Sequence, residues 1–158
     1  MANAEITSLL EMIDQAFDHS AWHGTNLKGS IRGLTAKEAA RRPAPGRHNI
    51  WELVVHAAYW KYTVRRRILG EKRGSFALKG SNWFVRPTRG DATDTAWKQD
   101  VALLVDTHRT LRAAVAALSR EDLDARLGSR TARALVVGVA AHDLYHTGQI
   151  QLIKRLLK

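Results

Sequence analysis

The sequence predicts an all-α protein, a four-helix bundle with a long crossover between its second and third helices. Apolar residues recur at spacings of three and four through four long segments, and residues typical of helix caps stand near their starts. No convincing alternation of apolar and polar residues indicates a strand. The long link between the second and third segments allows those two helices to run parallel, while the shorter links favour antiparallel neighbours.

The first helical segment covers about residues 3 to 32 and carries one apolar face. The residues of this face follow helical spacing: Ile6, Leu10, Ile13 and Phe17. Gly24 and Gly29 lie within the segment. Each is a candidate position for a break or a kink, because glycine is unfavourable inside a helix.

Two short capped turns connect the long segments. Thr35 stands three residues before Glu38, which is the pattern of a capping box at the start of a short helix. This helix should end before Pro43, because a residue that precedes a proline is pushed out of helical backbone angles. Ser119 and Asp122 form a second pattern of the same kind after the third segment.

The second segment runs from about residue 49 to residue 69. Asn49 is suited to cap its start and Gly70 to end it. Its apolar positions are Ile50, Leu53, Val54, Ala57, Val64 and Ile68. The connection that follows, residues 70–92, has no clear period, and loops of such length are usually functional or form crossovers.

The third segment begins at Asp91 or Thr93 and ends near Leu118. Its inner face is formed by Trp97, Val101, Leu104, Leu111, Val115 and Leu118. The fourth segment covers about residues 131–157. Together the four segments predict a single domain over residues 1–158, a length at which a chain can bury a core of its own.

The chain contains no cysteine. This excludes disulfides, thiolate zinc sites and cysteine nucleophiles, so a transition metal would have to be held by His, Asp, Glu or water. The N-terminal sequence lacks the pattern of a signal peptide, and no stretch approaches the roughly 18 to 20 apolar residues of a membrane span. We therefore expect a cytoplasmic protein without a membrane partner.

The formal net charge is +10, which can indicate a nucleic-acid partner. The lysines and arginines are spread along the chain in short clusters, and no continuous basic helix is present. We therefore interpret them as solvated faces and as charges that complement the C-terminal ends of helices. Nucleic acid is not the expected partner, and a small-molecule substrate is.

Two of the seven histidines, His142 and His146, lie four residues apart in the fourth segment. On a helix this spacing places both imidazoles on one face, with Cβ atoms about 6 Å apart. The spacing alone is weak evidence, because it is common by chance. It gains weight from the apolar stripe that contains the pair: Leu135, Val139, His142, His146, Gln149, Ile153 and Leu157.

His56 is the third candidate ligand, since it lies within the apolar run of residues 53–58. Three inward histidines each need partners, and a divalent metal ion would serve them all. Three histidines leave a coordination position open, as in reactive sites. The alternative is that all three are core residues bonded to neighbouring hydroxyls. Zinc, nickel, copper and iron all suit such a set.

Further residues are candidates near this site. His108 lies on the inner face of the third segment and His23 near the candidate break in the first, so each is a rival ligand or a neighbour of the site. Glu52, one turn before His56, could orient a histidine, act as a base or be solvated. Gln149, one turn after His146, could support a ligand.

Three stretches of the chain carry a resemblance to a known family. They are residues 21–24 with the later run 34–39, residues 43–60 (PAPGRHNIWELVVHAAYW), and residues 141–150 (AHDLYHTGQI). In this order the chain resembles the DinB/YfiT-like family of metalloenzymes. The resemblance implies a four-helix bundle with a crossover and a metal site formed by His56, His142 and His146.

The resemblance also implies zinc or nickel as the metal and a tendency to form homodimers. Family members include transferases and isomerases that use low-molecular-weight thiols, and also hydrolases. We expect a metal-dependent S-transferase or hydrolase in which Glu52 or His23 moves a proton. The aromatic residues of the 70–92 connection, Phe76, Trp83 and Phe84, would cover the site or pack on the bundle. The alternative is a non-catalytic metal-binding or nucleic-acid-associated bundle.

Overall fold

The computed structural model describes residues 4–158, and helices account for most of them. In chain order the elements are α1 (Ala4–Phe17), α2 (Leu27–Ser30), α3 (Ala36–Ala39), α4 (Ile50–Ile68), α5 (Asp94–Ala116), α6 (Arg120–Asp124), β1 (Arg126–Leu127), β2 (Arg130–Thr131) and α7 (Ala132–Leu156). The predicted all-helical class is confirmed. Within the described chain, no helix combines the length and the apolar character that crossing a membrane requires.

Three of the four long helices begin at a residue whose side chain caps the first turn. The side chains of Asn49, Thr93 and Thr131 each accept a hydrogen bond from the backbone N–H three residues further on. Such bonds satisfy a donor that the first helical turn leaves without a partner. The predicted capping boxes are also present at the starts of α3 and α6. The predicted starts of these elements are therefore correct.

The predicted first helix, residues 3 to 32, is too long. Residue 3 lies outside the described residues, and α1 ends at Phe17. Gly24 adopts a φ of +92°, which interrupts helical geometry. Asn26 then closes the turn, because its side-chain amide donates to the carbonyl of His19 while its Oδ1 accepts from the N–H of Gly29. This cap starts the separate helix α2.

A two-residue antiparallel ladder, β1 with β2, precedes α7 and was not predicted. Its turn contains Gly128 at a φ of +78°, which suits a tight hairpin. Two-residue strands are too short to show the alternation by which a sequence reveals a strand. The hairpin places Thr131 where it caps α7.

Contacts between α4 and α5 show that these two helices run in the same direction. Near the start of α4, Trp51 donates to Asp100 from its indole N–H at 2.6 Å. Ten residues later in α4, Lys61 Nζ lies 3.4 Å from Nδ1 of His108, which follows Asp100 in α5. Residues 69–93 provide the long connection that a parallel pair requires.

The fourth long helix, α7, runs antiparallel to α4. Leu53 shares a cavity with Ile153, whereas Val64, further along α4, shares one with Val139, which is earlier in α7. The middle of α4 therefore faces the middle of α7. This crossing brings His56 of α4 opposite the histidine pair of α7.

Two apolar clusters form the core. One joins α2 and α3 to the first halves of α4 and α5 and the end of α7. The other joins α1 to the last parts of α4 and α5 and the first half of α7. Buried polar residues occupy the level between the clusters: Lys61, Thr63, Thr107, His108, Asp143, His146 and Thr147. The candidate site lies at this level.

Candidate metal centre

Three histidines converge where α4 crosses α7. His142 Nε2 lies 3.1 Å from His56 Nε2 and 3.0 Å from His146 Nε2. His56 and His146 are buried and His142 is half-buried. Among residues 4–158, these three form the group whose ligand atoms all lie within 4.8 Å of one another and could hold a metal ion.

The spacing of these nitrogens fits a single divalent ion. With metal–nitrogen bonds of about 2.0 to 2.1 Å, two ligands are about 2.9 Å apart at a right angle and about 3.3 Å apart at the tetrahedral angle. The two observed separations fall within this range. All three residues that the sequence predicts as ligands are brought together, with their ligand atoms within 4.8 Å of one another.

A backbone carbonyl fixes the orientation of His56. Its Nδ1 lies 2.8 Å from the carbonyl oxygen of Asn82, which can only accept, so Nδ1 carries the proton and Nε2 presents a lone pair. Asn82 adopts a φ of +62°, and its Oδ1 accepts from the indole N–H of Trp60 at 3.0 Å. The loop after α4 thereby prepares His56 for metal binding.

His146 is oriented in a similar way. Its Nδ1 lies 2.7 Å from Gln149 Oε1, one turn further along α7, which assigns the proton to Nδ1 and the lone pair to Nε2. His142 Nδ1 is buried and has no hydrogen-bond partner in the described chain. If His142 carried its proton on Nε2, this one proton would have to bond to the Nε2 lone pairs of both His56 and His146. An ion that binds all three Nε2 lone pairs fits this arrangement better than a hydrogen bond does.

All three imidazoles are held neutral. Burial lowers the pKa of His56 to about 4, with smaller contributions from neighbouring histidines, although the Asn82 carbonyl opposes this shift. Burial, His146, His56 and Lys61 lower the pKa of His142 to about 3. The pKa of His146 is also lowered, mainly by burial. Near pH 7 protons therefore do not compete with a metal for these nitrogens.

Trp83 covers one side of the site. Its indole stacks on the His56 ring at a centroid distance of 3.8 Å and an interplanar angle of 8°. On its other face, His48 stacks at 3.5 Å and 5°. Phe76 and Phe84, from the same loop, pack against Tyr59 instead. His48 is exposed, and no pattern in the sequence indicated that it contacts Trp83.

Glu52 lies beside this stack, and its carboxylate is fully engaged. It accepts from Arg42 in an ion pair, from His48 Nδ1 at 3.1 Å and from the backbone N–H of Asn49 at 3.2 Å. Burial raises its pKa, but these hydrogen bonds outweigh burial and leave the pKa below its usual value. No contact joins Glu52 to the three histidines in the described chain, so its role as a base stays a prediction.

The two rival histidines lie elsewhere. His23 is exposed in the turn between α1 and α2, and among the described contacts none links it to the cluster. Its predicted part in proton transfer stays a prediction. His108 is buried against Phe17, with ring centroids 3.8 Å apart, and belongs to a different polar group around Lys61.

Cavities reach the cluster from two sides. One, of about 300 Å³, is lined by His142, Trp60 and Arg67, among others. The other, of about 550 Å³, is lined by His146 together with His48 and Trp83. Three protein ligands leave one position of a tetrahedral ion open, and these cavities provide space for a small molecule near it.

Comparisons with known proteins identify the family and support the fold. A family model described as the DinB superfamily matches residues 20–150. A solved structure described as a conserved protein from Enterococcus faecalis is similar over 95% of each chain, with a TM-score of 0.69 and 17% identity. No curated protein matches the sequence significantly. The structural similarity supports the fold, and the family model spans all three candidate ligands.

Proposed function

The chain belongs to the DinB superfamily, and on this basis we propose that it is a divalent-metal-dependent enzyme acting on a small molecule. His56, His142 and His146 hold the ion in this proposal, and zinc or nickel is the expected metal. The observation that carries it is the convergence of three neutral imidazoles, two of which are oriented by hydrogen bonds at Nδ1. Such a set with an open position is typical of reactive rather than structural sites.

The reaction class follows from what the chain lacks and what the site offers. A bound divalent ion would lower the pKa of a thiol or of a water and so supply a nucleophile at neutral pH. The family resemblance implies a low-molecular-weight thiol as the cosubstrate of an S-transferase, and its thiolate would serve as the nucleophile in a chain that has no cysteine. Water in place of the thiol makes the same site a hydrolase.

The protein's own side chains position and shield the reactants. Asn82 and Gln149 keep two ligands in the required tautomer. Trp83 excludes water from the face of His56. His48, held by Glu52, borders the cavity that contains His146, so we assign to His48 the movement of a proton and to Glu52 the positioning of His48.

Elemental analysis tests the metal site. We expect close to one divalent ion per chain in the purified protein and almost none in His142→Ala. His108→Gln is the matched control, because it removes a buried histidine outside the cluster and should retain the ion. Circular dichroism checks that both variants fold. Equal metal in the wild type and in folded His142→Ala would refute the site.

Turnover tests the reaction class. Metal-loaded protein is incubated with a panel of thiols and electrophiles, and in parallel with esters and amides in the absence of thiol. Activity that a chelator removes and zinc or nickel restores supports the enzyme, and the thiol requirement separates S-transferase from hydrolase. A metal-loaded protein that turns over no member of either panel contradicts the proposal.

A second candidate function rests on the net charge of +10. It is a metal-holding or nucleic-acid-associated protein without catalysis. Binding of the pure protein to DNA that weakens steeply with salt would favour it, since phosphate contacts release counterions. The enzyme is preferred because the convergent histidines and the adjoining cavities require a chemical explanation that charge alone does not provide.

A further inference from the structure

A third cavity is lined by charged side chains that the metal site does not use. A cavity of about 580 Å³ lies between the C-terminal half of α4 and the loop that follows it. Four cations line it: Arg66, Arg67, Arg73 and Lys79. No carboxylate lines it, and none of the four forms an ion pair within residues 4–158. We call this region the cationic cavity.

Complementing a helix end does not account for these charges. Glu71, which follows α4, pairs its carboxylate with Arg65, which does not line the cavity, and its carbonyl oxygen accepts from Arg66 at 2.8 Å. Arg73 and Lys79 belong to the loop and not to the helix, yet the chain returns them to the same cavity. Four cations around one concave surface concentrate a positive potential that favours an anion.

Aromatic side chains form the rest of the wall. Tyr59, Trp60, Tyr62 and Phe76 line the cavity together with the cations. Phe76 lies 5.3 Å from both Tyr59 and Tyr62 between ring centroids, so these three rings form one packed apolar surface. A ligand that fits both features carries a negative charge next to a planar apolar group.

The cationic cavity borders the metal site. Trp60, Thr63 and Arg67 line both this cavity and the 300 Å³ cavity that reaches His142. In this shared wall the Thr63 hydroxyl is buried and has no hydrogen-bond partner among the described residues. Buried hydroxyls are normally satisfied, which points to an occupant that the chain itself does not supply.

We propose that the cationic cavity binds the anionic group of a small substrate that also carries a planar apolar part. The reactive end of this substrate extends past Trp60 and Thr63 toward His142. This second half of the proposal rests on the proposed metal-dependent activity, whereas anion binding does not. Carboxylate and phosphate share the required chemistry.

Calorimetric titration with phenyl phosphate and with benzoate tests the cavity, and neutral benzyl alcohol is the control ligand. We expect binding of at least one anion, at least tenfold weaker in Arg67→Gln/Arg73→Gln. The matched control Arg120→Gln/Arg126→Gln removes two exposed cations elsewhere and should not change the affinity. The tighter anion identifies the preferred group. Equal weakening in both variants, equally tight binding of benzyl alcohol, or no binding would overturn the proposal.

Three further measurements separate this inference from the metal proposal. His142→Ala should retain its affinity for phenyl phosphate, and Arg67→Gln/Arg73→Gln should retain its metal. In turnover assays the cavity variant should raise KM at least tenfold for a carboxylate-bearing aryl electrophile and leave KM for the neutral methyl ester unchanged. Equal KM values for the carboxylate in variant and wild type would overturn the link to the metal site.

Discussion

Two polar groups lie side by side where α4 faces α7, and their members find partners in different ways. The first is the three-histidine cluster. The second, which we call the closed network, consists of Lys61, Asp143, His108, Asp14 and Arg112. His142 belongs to the cluster and Asp143 to the network, although they are adjacent in sequence, because neighbouring residues on a helix point in different directions.

Charges balance within the closed network, although Asp143 Oδ1 has no hydrogen-bond partner among the described residues. Lys61 and Asp143 form an ion pair in which both side chains are 1% exposed. Arg112 donates to Asp14 at 2.8 Å, so two cations face two carboxylates. The cluster has no carboxylate and no donor that serves all its lone pairs. The comparison teaches that a buried histidine can be held among charged side chains, as His108 is, whereas the convergence of three Nε2 atoms is what supports the proposed ion.

The largest effect should come from breaking the closed network. Lys61→Met leaves the Asp143 carboxyl buried without its cation, which we expect to lower the free energy of unfolding by about 3 to 5 kcal/mol. Lys61→Met/Asp143→Asn removes the unpaired charge and should recover much of this loss. Urea denaturation at pH 7 measures both. Equal stability of the single and double variants would show that the charge is not the cause.

Added metal should stabilise the folded protein by binding to the three-histidine cluster and not to the closed network. A divalent ion that binds only the folded state raises the free energy of unfolding by about 2.7 kcal/mol at a free concentration 100 times its Kd. Thermal unfolding with and without zinc measures the shift in Tm. The wild type and His108→Gln should respond, and His142→Ala should not. A shift in Tm that persists in His142→Ala would place the ion elsewhere.

Removing a residue that orients a ligand should weaken metal binding less than removing the ligand itself. Gln149→Leu removes the acceptor on His146 Nδ1, and we expect it to weaken metal affinity roughly 10- to 100-fold. Competition with a chelating dye gives the Kd. Gln99→Leu makes the same change at an exposed position of α5 and is the control. If both variants bind the metal with the Kd of the wild type, the orientation of His146 does not depend on Gln149.

The smallest effect is a pH dependence from the closed network. Burial and the Lys61 charge lower the pKa of His108 to about 3, against the opposing influence of Asp18 and Asp14, from an unfolded value of 6.5. As the pH falls below 6.5 the unfolded chain takes up the proton first, so stability that is intact above 6.5 declines toward pH 3.

Metal-free protein between pH 7.5 and 5.5 isolates this effect. Over that range the wild type should lose about 1 kcal/mol more of its unfolding free energy than His108→Gln does. Urea denaturation at several pH values measures the difference. Parallel pH profiles for the two proteins would mean that the pKa of His108 does not differ between the folded and unfolded states.

Features set by neighbouring residues were the ones that sequence reasoning predicted well. Asn49, Thr93 and Thr131 cap helices through bonds that span three residues, so their patterns are visible in the chain itself. The spacing of His142 and His146 places them on one face for the same reason. A break in the first segment was expected at Gly24 or Gly29, but the earlier end of α1 at Phe17 was missed because several residues of the turn, among them Asn26, cooperate to end the helix.

Features set by the long loop could not be predicted from local pattern. The stacking of Trp83 between His48 and His56 depends on where residues 69–93 return to the helices, which no periodicity reveals. The pairing of Lys61 with Asp143 likewise joins two helices far apart in the chain. Only its interior position, next to a candidate ligand, could have drawn attention to Asp143.

One asparagine couples loop order to metal affinity. Asn82 accepts from His56 through its carbonyl and from Trp60 through its side chain, so a displaced loop would release the ligand ring. By thermodynamic reciprocity, any molecule that holds residues 69–93 in place raises the affinity for the ion by a certain factor, and the ion raises the affinity for that molecule by the same factor. Proteolytic cleavage within this loop should accordingly slow as the ion is added, and the ion should escape faster once the loop is cut.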